Sequence, residues 1–174
     1  KLRMLDPPGE GPERIRGAKL VMAREGWSNE VLSRKRTLRF DEMEYAMPIE
    51  AGPECFLEVR KRVMEHHRRT VGWRVLYRYV ASDDAYLSTA HGRDTVTISL
   101  HQNNTLPYDA YFNDMEEIFL RYGGRPHWGK KHSLSAEELE PLYPKWAEFR
   151  RIRRKLDPEG VFLTDYMSRL LEGR

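Results

Sequence analysis

The stretch Gly123-Gly124-Arg125-Pro126-His127-Trp128-Gly129-Lys130 constrains this chain more than any other. Two glycines and a proline cannot sit together inside a helix, since glycine is entropically costly there and proline lacks the N–H donor. A helix therefore stops near Tyr122, with glycine available at its C-terminal cap. The piece that follows is irregular or extended and carries an imidazole, an indole and an ammonium between His127 and Lys130. Gly129 has no Cβ and lets another group approach the backbone next to Lys130, as a ligand-facing lysine is often presented. A surface loop with a half-buried Trp128 satisfies the same residues, and the pattern alone does not choose between the two.

A chain of 174 residues suggests one domain, or one domain with an appendage. Lys and Arg total 30 against 27 Asp and Glu, a net charge of +3, which argues only weakly for nucleic acid. A single cysteine, Cys55, excludes an internal disulfide framework and fits a reducing, cytoplasmic setting. No apolar run approaches the ~18 residues of a membrane span, so membrane association would be peripheral. Lys1 opens a polar stretch, so no signal peptide is expected there, and the missing initial Met suggests a piece of a longer protein.

Residues 1–42 read as an arm. Asp6-Pro7-Pro8-Gly9-Glu10-Gly11-Pro12 is turn chemistry throughout and predicts a mobile loop. Glu13 to Arg39 is basic and sparsely apolar, compatible with short helical segments. From Met43 the pattern sharpens into a domain expected over 43–174. Met43, Tyr45, Met47 and Ile49 alternate with Glu44, Ala46 and Pro48, the period-two mark of a half-buried strand. Pro53 then opens a helix expected to run to about Arg69, with Phe56, Val59 and Val63 on its inner face. Trp73–Ala81 and Thr95–Gln102 predict two further strands, with Ala85-Tyr86-Leu87 as a short extended piece. A helix is expected from Tyr108 to Tyr122. Ser135 and Glu138 form a capping-box pattern. A helix carrying Trp146, Phe149, Ile152 and Leu156 ends at Asp157-Pro158-Glu159-Gly160, and a short tail follows. The order predicts an α+β domain: an antiparallel sheet with helices packed on one face.

If the two later strands are neighbours, Arg78, Thr97, Ser99 and His101 collect on the sheet's other face. Such a set resembles a floor under a polar ligand, although an ordinary wet face is the competing reading. Other constellations carry less. His66-His67 lies at a helix end, where cations favour the macrodipole. His127 and His132 lack the spacing of paired zinc ligands, and no metal site is expected. Arg150 to Lys155 reads as a solvated helix face. Histidine, arginine and lysine without a nucleophile point to electrostatics around a cofactor or polar substrate.

Gly124-Arg125-Pro126-His127-Trp128-Gly129-Lys130, Tyr143-Pro144, Phe149, Leu156-Asp157-Pro158-Glu159-Gly160 and Phe162 together resemble the C-terminal region of the sugar-lactone and alditol oxidases. These are the D-arabinono-1,4-lactone, L-gulono-1,4-lactone and alditol oxidases, flavoproteins of the vanillyl-alcohol-oxidase type. Ala81-Ser82-Asp83-Asp84 and Leu87-Ser88-Thr89-Ala90-His91-Gly92-Arg93-Asp94 extend the likeness, which covers roughly Met43 to the C-terminus.

The resemblance implies a cap domain over FAD, with an N-terminal FAD-binding domain outside this sequence. It implies hydride transfer from a substrate carbon to the flavin while the substrate hydroxyl loses a proton. Carried over by position, Lys130 and Arg78 lie near flavin and substrate, Ser99 and His101 touch the substrate, and His127 lies beside the flavin with Lys130. His101 is a candidate for the hydroxyl proton, since imidazole titrates near neutrality. The chain departs from the pattern in two places. Relatives of alditol oxidase have Glu-x-Arg where this chain has Leu76-Tyr77-Arg78, and His and Thr where it has Ser99 and His101. The chain alone is expected to bind FAD poorly. A non-catalytic module for a small polyol or anion and a basic RNA-binding domain remain as alternatives.

Overall fold

The computed structural model describes residues 2–3, 25–32, 39–72 and 74–173. They fall into two units, Lys1–Leu38 and Arg39–Arg174. In the first, β1 (Leu2–Arg3) pairs antiparallel with β2 (Glu25–Gly26), and α1 spans Ser28–Leu32. The expected Asp6–Pro12 loop lies outside the described residues.

The second unit begins with β3 (Phe40–Pro48), longer at its start than the alternation from Met43 predicts. A 3-10 turn leads to α2 (Gly52–Arg62), with Pro53 in its first turn. The helix continues towards the expected end near Arg69, but as a widened π-helical turn over Val63–His67. Next come β4 (Leu76–Val80), β5 (Thr95–Asn103), α3 (Asp109–Arg121) and β6 (Arg125–Pro126). The C-terminal part holds α4 (Ala136–Leu139), α5 (Trp146–Leu156) and α6 (Asp165–Glu172). Two expectations change here. Ala85-Tyr86-Leu87 forms turns, with only an isolated bridge between Asp83 and His91 nearby. The short tail is a true helix, capped by Thr164 accepting from the Met167 N–H and burying Leu170 and Leu171.

The four strands form an antiparallel sheet in the order β4-β5-β3-β6, so the fold is α+β as expected. Met43, Tyr45 and Met47 of β3 and Val96, Ile98 and Leu100 of β5 point to one face. Cys55 and Val59 of α2 and Tyr111, Phe112, Met115, Ile118 and Phe119 of α3 close over them. Glu116 is buried within this layer and accepts from the Tyr45 hydroxyl and the Ser133 N–H, which gives its buried oxygens hydrogen-bond partners. A second core joins Leu134, Leu139, Tyr143, Trp146, Leu170 and Leu171 around the partly buried Trp128.

The Gly123-Gly124 pair ends α3 and starts β6. Gly123 takes φ +68°, and the Gly124 N–H donates to the Phe119 carbonyl at 2.9 Å. A Cβ on Gly124 would lie 2.7 Å from that carbonyl oxygen and 3.0 Å from the Tyr45 ring. Gly124→Ala is therefore expected to cost about 1–3 kcal/mol of stability through overpacking, measured by denaturant unfolding.

The basic outer side of α5 is not simply solvated. Arg150, Arg153 and Arg154 all reach Glu172 on α6, with nitrogen–oxygen distances of 3.2, 3.0 and 2.5 Å. The hydrogen bond from Arg154 chiefly draws the Glu172 carboxyl down to about 2 from 4.5. Because the folded value is the lower one, this contribution is full above pH 4.5 and lost as pH falls towards 2. Acid titration of the melting temperature is expected to show that slope, and Glu172→Gln to flatten it.

Candidate functional site

The strand register assembles the site. On the sheet face away from α2 and α3, Glu44 of β3 lies opposite Ser99 of β5, and Glu42 lies opposite His101. On the other side of β5, Leu76 lies opposite Ser99, and Arg78 opposite Thr97. This face is not simply wet, since Thr97, Ser99 and His101 are only 5%, 0% and 8% exposed. Side chains from the neighbouring elements cover them.

Lys130 is brought over β3 by the loop that follows β6. The His127 N–H donates to the Glu44 carbonyl at 2.9 Å, and the Lys131 N–H to the Glu42 carbonyl at 2.9 Å. Two cross-strand hydrogen bonds thus hold the loop at both ends, directly beside the two glutamates. Trp128 anchors its middle: the indole stacks on Trp146 and packs against Tyr143, and its N–H donates to the Leu87 carbonyl at 2.9 Å. Arg125 fixes the base of the loop by donating to the carbonyls of Leu142 and His91 at 2.7 and 2.8 Å. Arg93 ties the same region down through the carbonyls of Ala46 and Gly123, at 3.0 and 2.9 Å. Burial, and then the charge of Arg125, depress Arg93 to about 10, which leaves it cationic at neutral pH.

The result is one connected group. The Lys130 ammonium donates to Glu42 Oε1 at 2.7 Å and to Glu44 Oε2 at 2.6 Å. Arg78 donates to Glu44 Oε2 and, at 3.0 Å, to Ser99 Oγ, while Ser99 itself donates to Glu44 Oε2. His101 Nε2 lies 3.2 Å from Glu42 Oε1. Lys130 and Arg78 therefore point to the same side of the sheet and meet on one carboxylate. Burial alone would raise the Glu44 carboxyl. Hydrogen bonds from Lys130 and Ser99 and the charges of Lys130 and Arg78 outweigh it, so Glu44 lies below the usual carboxylate range. A cleft of about 460 Å³ opens beside this group, edged by Phe40, Glu42, Trp128, Lys130 and Tyr166.

Four of the residues singled out from the sequence, Arg78, Ser99, His101 and Lys130, thus come together. His127 does not join them. Its ring is exposed and turned back into its own loop, where Nδ1 accepts from the Gly129 N–H at 3.0 Å. Gly129 is not required by packing within the chain. A Cβ there would meet only the His127 ring, at an ordinary 3.5 Å, so close approach explains Gly124 and not Gly129. Glu42 and Glu44 escaped the sequence reading as site residues. The signal was present: Glu-x-Glu on one strand complements Ser-x-His on its neighbour, but only once the pairing of those strands is known.

A family model for D-arabinono-1,4-lactone oxidase matches residues 17–170. The chain belongs to this family. It is similar to an L-gulono-1,4-lactone dehydrogenase of Mycobacterium tuberculosis, 44% identical over 144 residues, covering 81% of this chain and 33% of that protein. An L-gulonolactone oxidase of Mus musculus is 29% identical over 147 residues, covering 82% of this chain and 33% of the relative. An alditol oxidase of a Streptomyces species is 39% identical over 99 residues, covering 55% and 23%. The chain thus spans about a third of the length of the first of these relatives.

The hydrogen-bond pattern predicts how Glu44 titrates. Ser99→Ala is expected to raise its carboxyl, and Lys130→Met to raise it further, followed by carbon-13 NMR of the side-chain carboxyl across acid pH.

Proposed function

We propose that this chain is the substrate-side domain of an FAD-dependent oxidoreductase acting on a hydroxyl of a sugar lactone or alditol, working against an FAD-binding domain outside this sequence. The observation that carries this reading is the meeting of Lys130 and Arg78 on Glu44, over a sheet face that also carries Ser99 and His101. Membership of the D-arabinono-1,4-lactone oxidase family supports it, as do the names of the gulonolactone- and alditol-oxidising relatives.

The donor set fits such a group. Fixed cations beside an open cleft suit a ring that gains negative charge, because preorganised charge needs no rearrangement when the electrons arrive. When bound, FAD supplies the acceptor for the hydride that leaves the substrate carbon. The residues of this chain do the rest. Lys130 is held by two carboxylates, and its ammonium would offset the negative charge the flavin gains. Arg78 presents a guanidinium from the edge strand. Arg78 orients the substrate, the buried Ser99 keeps Arg78 and Glu44 in place beneath it, and His101 takes the hydroxyl proton as the carbonyl forms, with Glu42 beside it to stabilise the resulting imidazolium. With its ring turned back into its own loop, His127 would reach the flavin only as an outer contact. The separate chain is expected to hold FAD weakly and to be inactive without the second domain.

Lys130→Met, in the protein carrying its FAD-binding domain, tests the assignment. Flavin reduction by substrate is expected to slow on the order of 100-fold. Stability also falls, because Glu42 and Glu44 lose their shared cation. The double variant Glu42→Gln/Lys130→Met separates the two effects: stability recovers and reduction stays slow. A wild-type reduction rate in Lys130→Met would overturn the role given to this lysine.

A further inference from the structure

Glu44 holds more acceptor capacity than its neighbours use. An ionised carboxylate offers about four lone-pair sites over its two oxygens. Here Lys130, Arg78 and Ser99 all donate to Oε2. Oε1 receives no donor among the described residues, although it keeps an opening to solvent. The residue as a whole is only 7% exposed, so little water is available to it. A carboxylate pinned by three donors on one oxygen cannot turn to share them. Its second oxygen is therefore a fixed acceptor with a narrow opening to solvent.

The opposite end of the same row is apolar. Leu76, Ser99 and Glu44 lie side by side across β4, β5 and β3, and Leu76 is 40% exposed on the edge strand. Val80, two positions beyond Arg78 on that strand, is exposed as well. A polyhydroxylated ligand lying across this face thus meets no side-chain acceptor on β4, which presents Leu76, Arg78 and Val80 there. It meets one on β3, next to the Lys130 ammonium.

We propose that Glu44 is a substrate-binding and specificity-determining residue, its Oε1 accepting a hydrogen bond from one hydroxyl of the substrate while Lys130 and Arg78 hold the carboxylate in place. The proposal rests on the reading of this face as a substrate site. The ligand lies with its most hydroxylated end over Glu44 and Lys130. Its less oxygenated end lies over Leu76.

The test measures binding apart from turnover, in the protein carrying its FAD-binding domain, with the flavin oxidised and oxygen removed. The probes are L-gulono-1,4-lactone, sorbitol and the monodeoxy analogues of each, with Kd from calorimetry. In the wild type, one deoxy position is expected to weaken binding about tenfold, the usual weight of a hydrogen bond to a charged group. In Glu44→Gln the parent compound weakens by a similar factor, while that one deoxy analogue binds both proteins equally. Glu44→Asp retains the charge but withdraws the oxygen by one methylene, and it repeats the result should the glutamine variant fold poorly. The proposal is overturned if every analogue loses affinity equally in Glu44→Gln, which would mark a purely structural role. It is also overturned if no deoxy position matters in the wild type. Absence of flavin reduction with any of these compounds would count against the enzymatic reading alone, since the Kd pattern still decides the role of Glu44.

Discussion

The site exists because β3 and β5 pair in one register. Opposite pairing of Glu44 with Ser99 and Glu42 with His101 puts acceptors of one strand against donors of the next. The same register sends Met43, Tyr45, Met47, Val96, Ile98 and Leu100 into the helical core. A slip by one residue would exchange the two sets, burying carboxylates among Phe112, Met115 and Phe119. Packing on one face therefore fixes the chemistry on the other, and neither can shift alone.

Two carboxylates and two cations give the group a nearly balanced charge, with His101 at its edge. This balance bears on the choice of ligand. The guanidinium and the ammonium are both already engaged by carboxylates. What remains on offer is fixed acceptors and donors at short spacing, in keeping with the polyol or lactone proposed above. Holding the ammonium between two carboxylates also removes most of its conformational freedom before any ligand arrives, so binding does not have to order it.

The parts legible in the sequence were those set by local rules. The alternation around Tyr45, the Ser135–Glu138 capping box and the helix break at Gly123-Gly124 each depend on residues a few positions apart. The sequence also contained Lys130, Arg78, Ser99 and His101 as chemistry-bearing residues. Their meeting point was not legible, because Glu44 lies 86 positions from Lys130 and 34 from Arg78. Glu42 lay before the expected start of the domain and read as part of the arm. The helix at the C-terminus was missed because Asp157-Pro158-Glu159-Gly160 masks it, and its amphipathic face becomes meaningful only against α5. Arg150, Arg153 and Arg154 looked solvated for the same reason: their partner, Glu172, lies at the far end of that unrecognised helix.

That last helix reaches further than its length suggests. The Tyr166 hydroxyl on α6 donates to the Trp128 carbonyl at 3.0 Å, two residues before the lysine. Trp128 also shares its apolar surroundings with Met167. A trimmed or frayed carboxyl terminus would therefore be felt as a loosened ammonium over β3, with the indole, sandwiched between both, serving as a built-in fluorescent gauge of that slack.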